Sequence, residues 1–193
     1  MELHGPSGFI TITNDNWRDW GDGGREIEET GLAPTNDLES ALLVTLNPGA
    51  YTAIVKGKND TIGVGLVEIY DLGPLTSQMF NISTRGFVGT GSDVVIGGFI
   101  LGGGNFGADI ILYGRGPSLG SFGVPNPLAD PTLELRDNNG AVLGENDDCS
   151  APFGSTSLES CLQMVLPPGL YTAILAGKDG GTGVGLVEIY DLE

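Results

Sequence analysis

Along this chain, short runs alternate apolar with polar residues, and Gly, Asn, Asp or Pro closes each run. Met1-Glu2-Leu3-His4, Phe9-Ile10-Thr11-Ile12, Tyr51-Thr52-Ala53-Ile54-Val55 and Leu133-Glu134-Leu135-Arg136 are of this kind. A period of two in β-branched and aromatic residues, between turn formers, predicts strands. Their close spacing predicts an all-β sandwich or barrel. One run departs from the pattern. Arg25-Glu26-Ile27-Glu28-Glu29-Thr30, followed by Gly31, predicts a short helix with a glycine stop.

The strand pattern occurs twice. Residues 158–192 repeat residues 38–72 at an offset of 120, with 23 identities in 35 positions. Copies that close indicate a duplicated structural unit. Each copy has predicted strands at 38–46 or 158–166, at 51–55 or 171–175, and at 64–71 or 184–191. A predicted hairpin precedes each set: 1–13 in the first copy and 133–143 in the second. The turn Asp137-Asn138-Asn139-Gly140 carries Asn-Gly, a dipeptide that favours a tight turn with both central residues at positive φ. Asn14-Asp15-Asn16 and Asn146-Asp147-Asp148 then stand in register. From here to residue 36 the first copy has a longer insertion containing Trp17 and Trp20, whereas the second is short and holds both cysteines.

Between the copies lies a segment present once, with predicted strands at 80–88, 94–101 and 108–113 and a Gly/Pro-rich connection at 114–131. Residues 77–193 therefore make a complete unit of eight strands, and residues 1–76 a partial unit with the last five. Both copies offer the same acceptor strands, so residues 73–130 suit either one. Whichever copy goes without exposes strand edges, which recruit other strands. The runs 94–101 and 110–112 are apolar on both faces, so either the chain or another subunit must cover them.

Composition narrows the function. The formal net charge is −17, from 25 acidic and 8 basic residues, and this field repels nucleic acid. Cations and basic surfaces are the natural counterparts, unless the charge serves only solubility. No uninterrupted apolar run approaches the ~18–20 residues of a membrane span. Met1 opens directly on strand-like sequence without a signal-peptide pattern, which suggests a mature fragment. Cys149 and Cys161 lie 12 apart in one loop region. As a disulfide they place the protein in an oxidising compartment. The alternative is a pair of unrelated buried thiols.

Catalytic chemistry finds little support. Gly102-x-Gly104-x-x-Gly107 follows a strand, but a strand rather than a helix is predicted after it, so no dinucleotide site is expected. His4 is the only histidine and reads as a strand-surface residue. Glu68 and Glu188 are repeat equivalents, not a pair across one cleft. The Asn/Asp clusters are the best candidates for a site. Asn14, Asp15, Asn16, Asp19 and Asp22 in the first copy, and Asn146, Asp147 and Asp148 in the second, are hard oxygen ligands of the kind Ca²⁺ takes. The same residues are also default turn formers.

Leu133-Glu134-Leu135, Gly140, Asn146-Asp147-Asp148 and Pro168-Gly169-Leu170-Tyr171-Thr172-Ala173 together resemble the bacterial pre-peptidase C-terminal (PPC) domain. Ser83-Thr84-Arg85-Gly86, Ile96-Gly97-Gly98-Phe99-Ile100 and Gly116-Pro117-Ser118-Leu119 look like a repeat from large secreted bacterial proteins. The resemblance covers roughly 60 residues of each copy. It implies a jelly-roll-like antiparallel β-sandwich, secreted and non-catalytic, in some members binding calcium or matrix polymers. The expected function is an extracellular or cell-surface structural module that self-associates through exposed strands, as a homo-oligomer or fibre. The rival is a calcium-dependent module for polysaccharide or matrix, with Trp17, Trp20, Tyr51 and Tyr171 as exposed aromatics.

Overall fold

In the computed structural model, which describes residues 1–73, 81–102, 107–150 and 157–192, the chain divides into two units, Met1–Tyr70 and Asp71–Glu193. The first holds three short strands, β1 (Glu2–His4), β2 (Ile12–Thr13) and β3 (Thr52–Ile54), and one α-helix, α1 (Asp22–Glu29). The second holds β4 (Asn81–Val88), β5 (Val95–Leu101), β6 (Ala108–Arg115), β7 (Pro131–Asp137), β8 (Val142–Asn146), β9 (Ser160–Leu166), β10 (Gly169–Gly177) and β11 (Gly183–Asp191).

The second unit is an antiparallel sandwich of two four-stranded sheets, ordered β5-β10-β7-β8 and β4-β11-β6-β9. Counting its strands one to eight along the chain, the orders are 2-7-4-5 and 1-8-3-6, the double Greek key of a jelly roll. Alternation drives the fold: in β10 and β11 every second residue is buried, and the intervening ones lie on the outer faces. Val88, Phe99, Leu112, Leu135, Leu175 and Val187 meet between the sheets, and burying each such side chain stabilises by about 1.5–3 kcal/mol. β5 is apolar on both faces, but only its inner residues are covered, and Ile96 and Ile100 remain exposed at this edge strand. In β6 the residues Ile110, Ile111 and Leu112 are all buried, with Ile111 paired between Tyr190 and Gln163.

The turn between β7 and β8 differs from the sequence expectation. Gly140 has φ of 82°, but Asn139 is not among the positive-φ residues. The Asp137 carboxylate accepts the N–H groups of Asn139 and Ala141 at 2.8 and 2.9 Å. That pattern fits a type I turn closed by a left-handed glycine, and a separate register shift lies further along the hairpin, between Leu135 and Arg136.

In the first unit, two predicted strands are absent. Residues 38–46 and 64–71 carry no strand, although their twins are β9 and β11. Topology supplies the reason. In the complete roll, β9 pairs only with β6, and β11 pairs with β4 and β6. β4, β5 and β6 belong to the segment that occurs once, and that segment is built into the second unit. What remains for the first copy is the ladder β8-β7-β10, and its sheet is the corresponding β2-β1-β3.

Candidate functional site

The second-copy Asn/Asp loop lies after β8, close to the ends of β7 and β10. The carboxylates of Asp147 and Asp148 come together with Asp130, their ligand oxygens lying within 4.8 Å of one another. One oxygen each of Asp130 and Asp147 is buried without a hydrogen-bond partner. Lys178 faces the same cluster, its ammonium 2.5 Å from Asp147 and 3.6 Å from Asp130. The bond to Asp147 is the main reason that the Lys178 ammonium is held above its ordinary pKa. Three carboxylates thus share one internal cation.

Asn146, expected beside them as a ligand, does different work. Its side-chain oxygen accepts the N–H of Cys161 at 2.9 Å, and its amide donates to the Asp148 carbonyl at 3.2 Å. The first copy repeats these contacts. Asn14 accepts the N–H of Ala41 at 3.1 Å and donates to the Asn16 carbonyl at 3.1 Å. Lys58, the twin of Lys178, lies 2.5 Å from Asp15, which is the main cause of its raised pKa. Asn16 and Asp19 bond each other at 2.9 Å, and Asp22 opens α1, where its charge suits the helix N-terminus. The five first-copy candidates are therefore spread over turn, lysine and helix contacts.

Asp130 and Lys178 were not legible as members of this cluster. Asp130 precedes β7 and is joined to the Lys178 N–H by a 2.9 Å backbone bond. It lies 17 positions before Asp147, and only strand pairing closes that interval. Lys178 had a usable signal, because a lysine stands at the same repeat position in both copies.

Cys149 and Cys161 form a disulfide with a Cα–Cα distance of 5.3 Å. It ties the loop to β9 and belongs to an oxidising compartment. The first copy has Trp17 at the position of Cys149. Each of these residues donates its backbone N–H to the glutamate carbonyl of the neighbouring run, Trp17 to Glu39 at 2.9 Å and Cys149 to Glu159 at 2.5 Å. Trp17, 1% exposed, takes up by packing the place that the second copy fills with a covalent bridge. The Glu159 side chain is buried and accepts the N–H groups of Gly116 and Ser118 at 2.9 and 2.7 Å. It anchors the Gly-Pro-Ser-Leu turn after β6.

The remaining candidates are structural in their contacts. His4, on β1, meets Glu2 at 3.1 Å and Thr11 at 3.3 Å. Glu188 binds Arg115 at 2.9 Å and the Tyr190 hydroxyl at 3.1 Å. Residues 103–106 of the glycine-rich loop lie outside the described residues, and a strand, β6, follows it. Of the four aromatics considered for polysaccharide, Trp17 and Tyr171 are buried and Trp20 and Tyr51 are half-buried. Tyr171 stacks on Phe99 at 5.3 Å and donates its hydroxyl to the Pro167 carbonyl at 2.7 Å. Tyr51 makes the twin bond to the Asn47 carbonyl at 2.9 Å and packs edge-on against Phe9. These tyrosines lock turns instead of facing a ligand.

An accessible apolar strip is formed by the twin of β11. Val67 is 41% exposed where Val187 is buried at 0%, and Ile69 is 59% exposed where Ile189 is at 5%. Ile62, Val64 and Leu66 extend the strip. No helix among the described residues is long and apolar enough to cross a membrane. No family model and no curated protein sequence matches the chain.

Proposed function

We propose that the protein is a non-enzymatic, extracellular structural module of PPC-like repeats that self-associates through the unpaired strand segments of its first copy. The observation that carries this reading is the contrast between residues 63–71 and β11. The same nine residues, Gly-Val-Gly-Leu-Val-Glu-Ile-Tyr-Asp, are a central strand in one copy and an exposed segment that carries no strand in the other. A segment that is strand-competent and apolar gains both ladder hydrogen bonds and buried side chains when another strand is added to it. A contact between unlike surfaces that does not close on itself propagates as a filament. Sedimentation across a concentration series, with electron microscopy, tests the reading. Concentration-dependent growth into oligomers or fibres is expected, and only compact monomers at every concentration would reject it.

A second reading, calcium at Asp130, Asp147 and Asp148, is favoured by the two buried, unpartnered oxygens. Oxygen ligands from three carboxylates suit Ca²⁺, and the ion would replace the ammonium of Lys178 there. Calorimetric titration of metal-stripped protein decides it. Binding heat that is enhanced in Lys178→Met and lost in Asp147→Asn is expected, and no heat in either protein rejects it.

A further inference from the structure

The complete copy shows what kind of strand covers this sequence, and the molecule carries one such strand with an open edge. β4 lies at the end of its sheet and pairs, among the described residues, with β11 alone. One side of β4 thus already recognises the sequence that residues 63–71 repeat. Of the eight basic residues in the chain, Arg85, exposed on the outer face of β4, is the one without an acidic partner among the described residues. Glu68 is the acidic counterpart. Its twin Glu188 takes an arginine from the adjacent strand, Arg115, at 2.9 Å, whereas Glu68, among the described residues, bonds only its neighbour Tyr70, at 3.0 Å.

Resting on the assembly reading above, we infer that residues 63–71 of one molecule add as an antiparallel strand to the free edge of β4 in a second copy of the chain, with Glu68 opposite Arg85. That register sets Val67 opposite Gly86, Ile69 opposite Thr84 and Leu66 opposite Phe87. It keeps the two faces consistent. Thr84 and Gly86 point the way of the inner face of β4, while Arg85 and Phe87 are exposed, and β11 buries the twins of Val67 and Ile69 on the inner side. An out-of-phase pairing would turn every side chain to the wrong face. The partner has to be an edge already available. Each chain has one β4-to-β6 segment for two copies of the acceptor, so donating that segment would empty one copy to fill another. The open edge of β4 needs no such exchange, and because donor and acceptor are different surfaces the contact repeats head to tail.

The test is a charge swap in the full chain, read by sedimentation velocity at physiological salt. Arg85→Glu places like charges opposite each other and should weaken association roughly tenfold. Glu68→Arg combined with Arg85→Glu should restore it, and Arg25→Glu, the same charge change on exposed α1, should leave it within about twofold. Hydrogen exchange should show protection appearing in 63–71 and 81–88 together as the protein assembles. Assembly indifferent to Arg85→Glu, or weakened equally by Arg25→Glu, overturns this pairing while the assembly reading stands. A monomer in which 63–71 is protected shows the edge of β4 occupied within one chain and overturns the pairing between copies. A monomer with 63–71 unprotected at every concentration overturns both.

Discussion

Residues 183–191 and 63–71 have the same sequence and opposite fates. The first is a nine-residue strand bonded on both sides, by β4 and β6. The second has no strand and exposes every residue. Local propensity cannot separate them, since it is identical. Strands are stabilised by cross-strand partners and burial rather than by intrinsic preference. Where β4 and β6 are present the ladder forms. Where they are absent, the same residues form no strand. The hairpin and the strand after it survive in both copies because each copy contains their partners. β1 pairs with β2 and β3 as β7 pairs with β8 and β10.

The largest effect that would break this comparison is in hydrogen exchange. Amides of 183–191 should exchange only with global opening of the second unit, and those of 63–71 at nearly the unprotected rate in monomeric protein. Equal protection in the monomer would mean that the first copy finds its partners within the chain. Next come the two ways of fixing the loop. Trp17→Ala should cost the first unit about 3–5 kcal/mol. Reducing the disulfide, or Cys161→Ala with Cys149→Ala, should cost the second about 3 kcal/mol. Denaturant unfolding of each variant checks both values, and a Trp17→Ala change near zero would sink the idea that packing substitutes for the bridge. Core truncation sharpens the contrast further: Ile189→Ala should destabilise by about 2–5 kcal/mol, and Ile69→Ala by no more than about 0.5 kcal/mol in the monomer.

Two smaller predictions concern turns. Backbone N–H groups of Ala141 and Asn139 hold the Asp137 carboxyl below its ordinary pKa. A depressed folded-state pKa contributes stability that is present above the unfolded value, about 3.9, and is lost as pH falls through the folded value. The melting temperature should therefore drop on acidification below about pH 4. Asp137→Asn, which keeps an acceptor oxygen, should remove part of that slope. In the last turn, Asp60 has φ of 60° where its twin Gly180 has 77°. Asp60→Gly relieves a left-handed aspartate, and thermal melts should show a gain of at most about 1 kcal/mol.

Much of the second unit was legible along the chain. Alternation and turn residues located its eight strands, and comparing the copies showed which were present once. The disulfide was legible because the two cysteines lie 12 apart in one loop region, at positions where the first copy has Trp17 and Ala41. The acidic cluster was half legible: Asp147 and Asp148 stand in a turn motif, but Asp130 joins them only through pairing of β7 and β8. The expected strands at 38–46 and 64–71 were misread, because pattern reports the capacity to form a strand and not the presence of a neighbour. Tyr171 and Trp17, candidates for surface aromatics, are buried for a related reason. An aromatic in an alternating run can face either way, and its burial depends on which face the opposite sheet covers.

Sequence alone determined that this is a duplicated, strand-forming, acidic chain with two cysteines 12 apart, since propensity, charge and residue chemistry reside in individual positions. Only the tertiary structure decided which of two near-identical copies becomes a closed sandwich. A single three-strand segment can complete one set of ladders, and strand hydrogen bonds exist between segments, never within one.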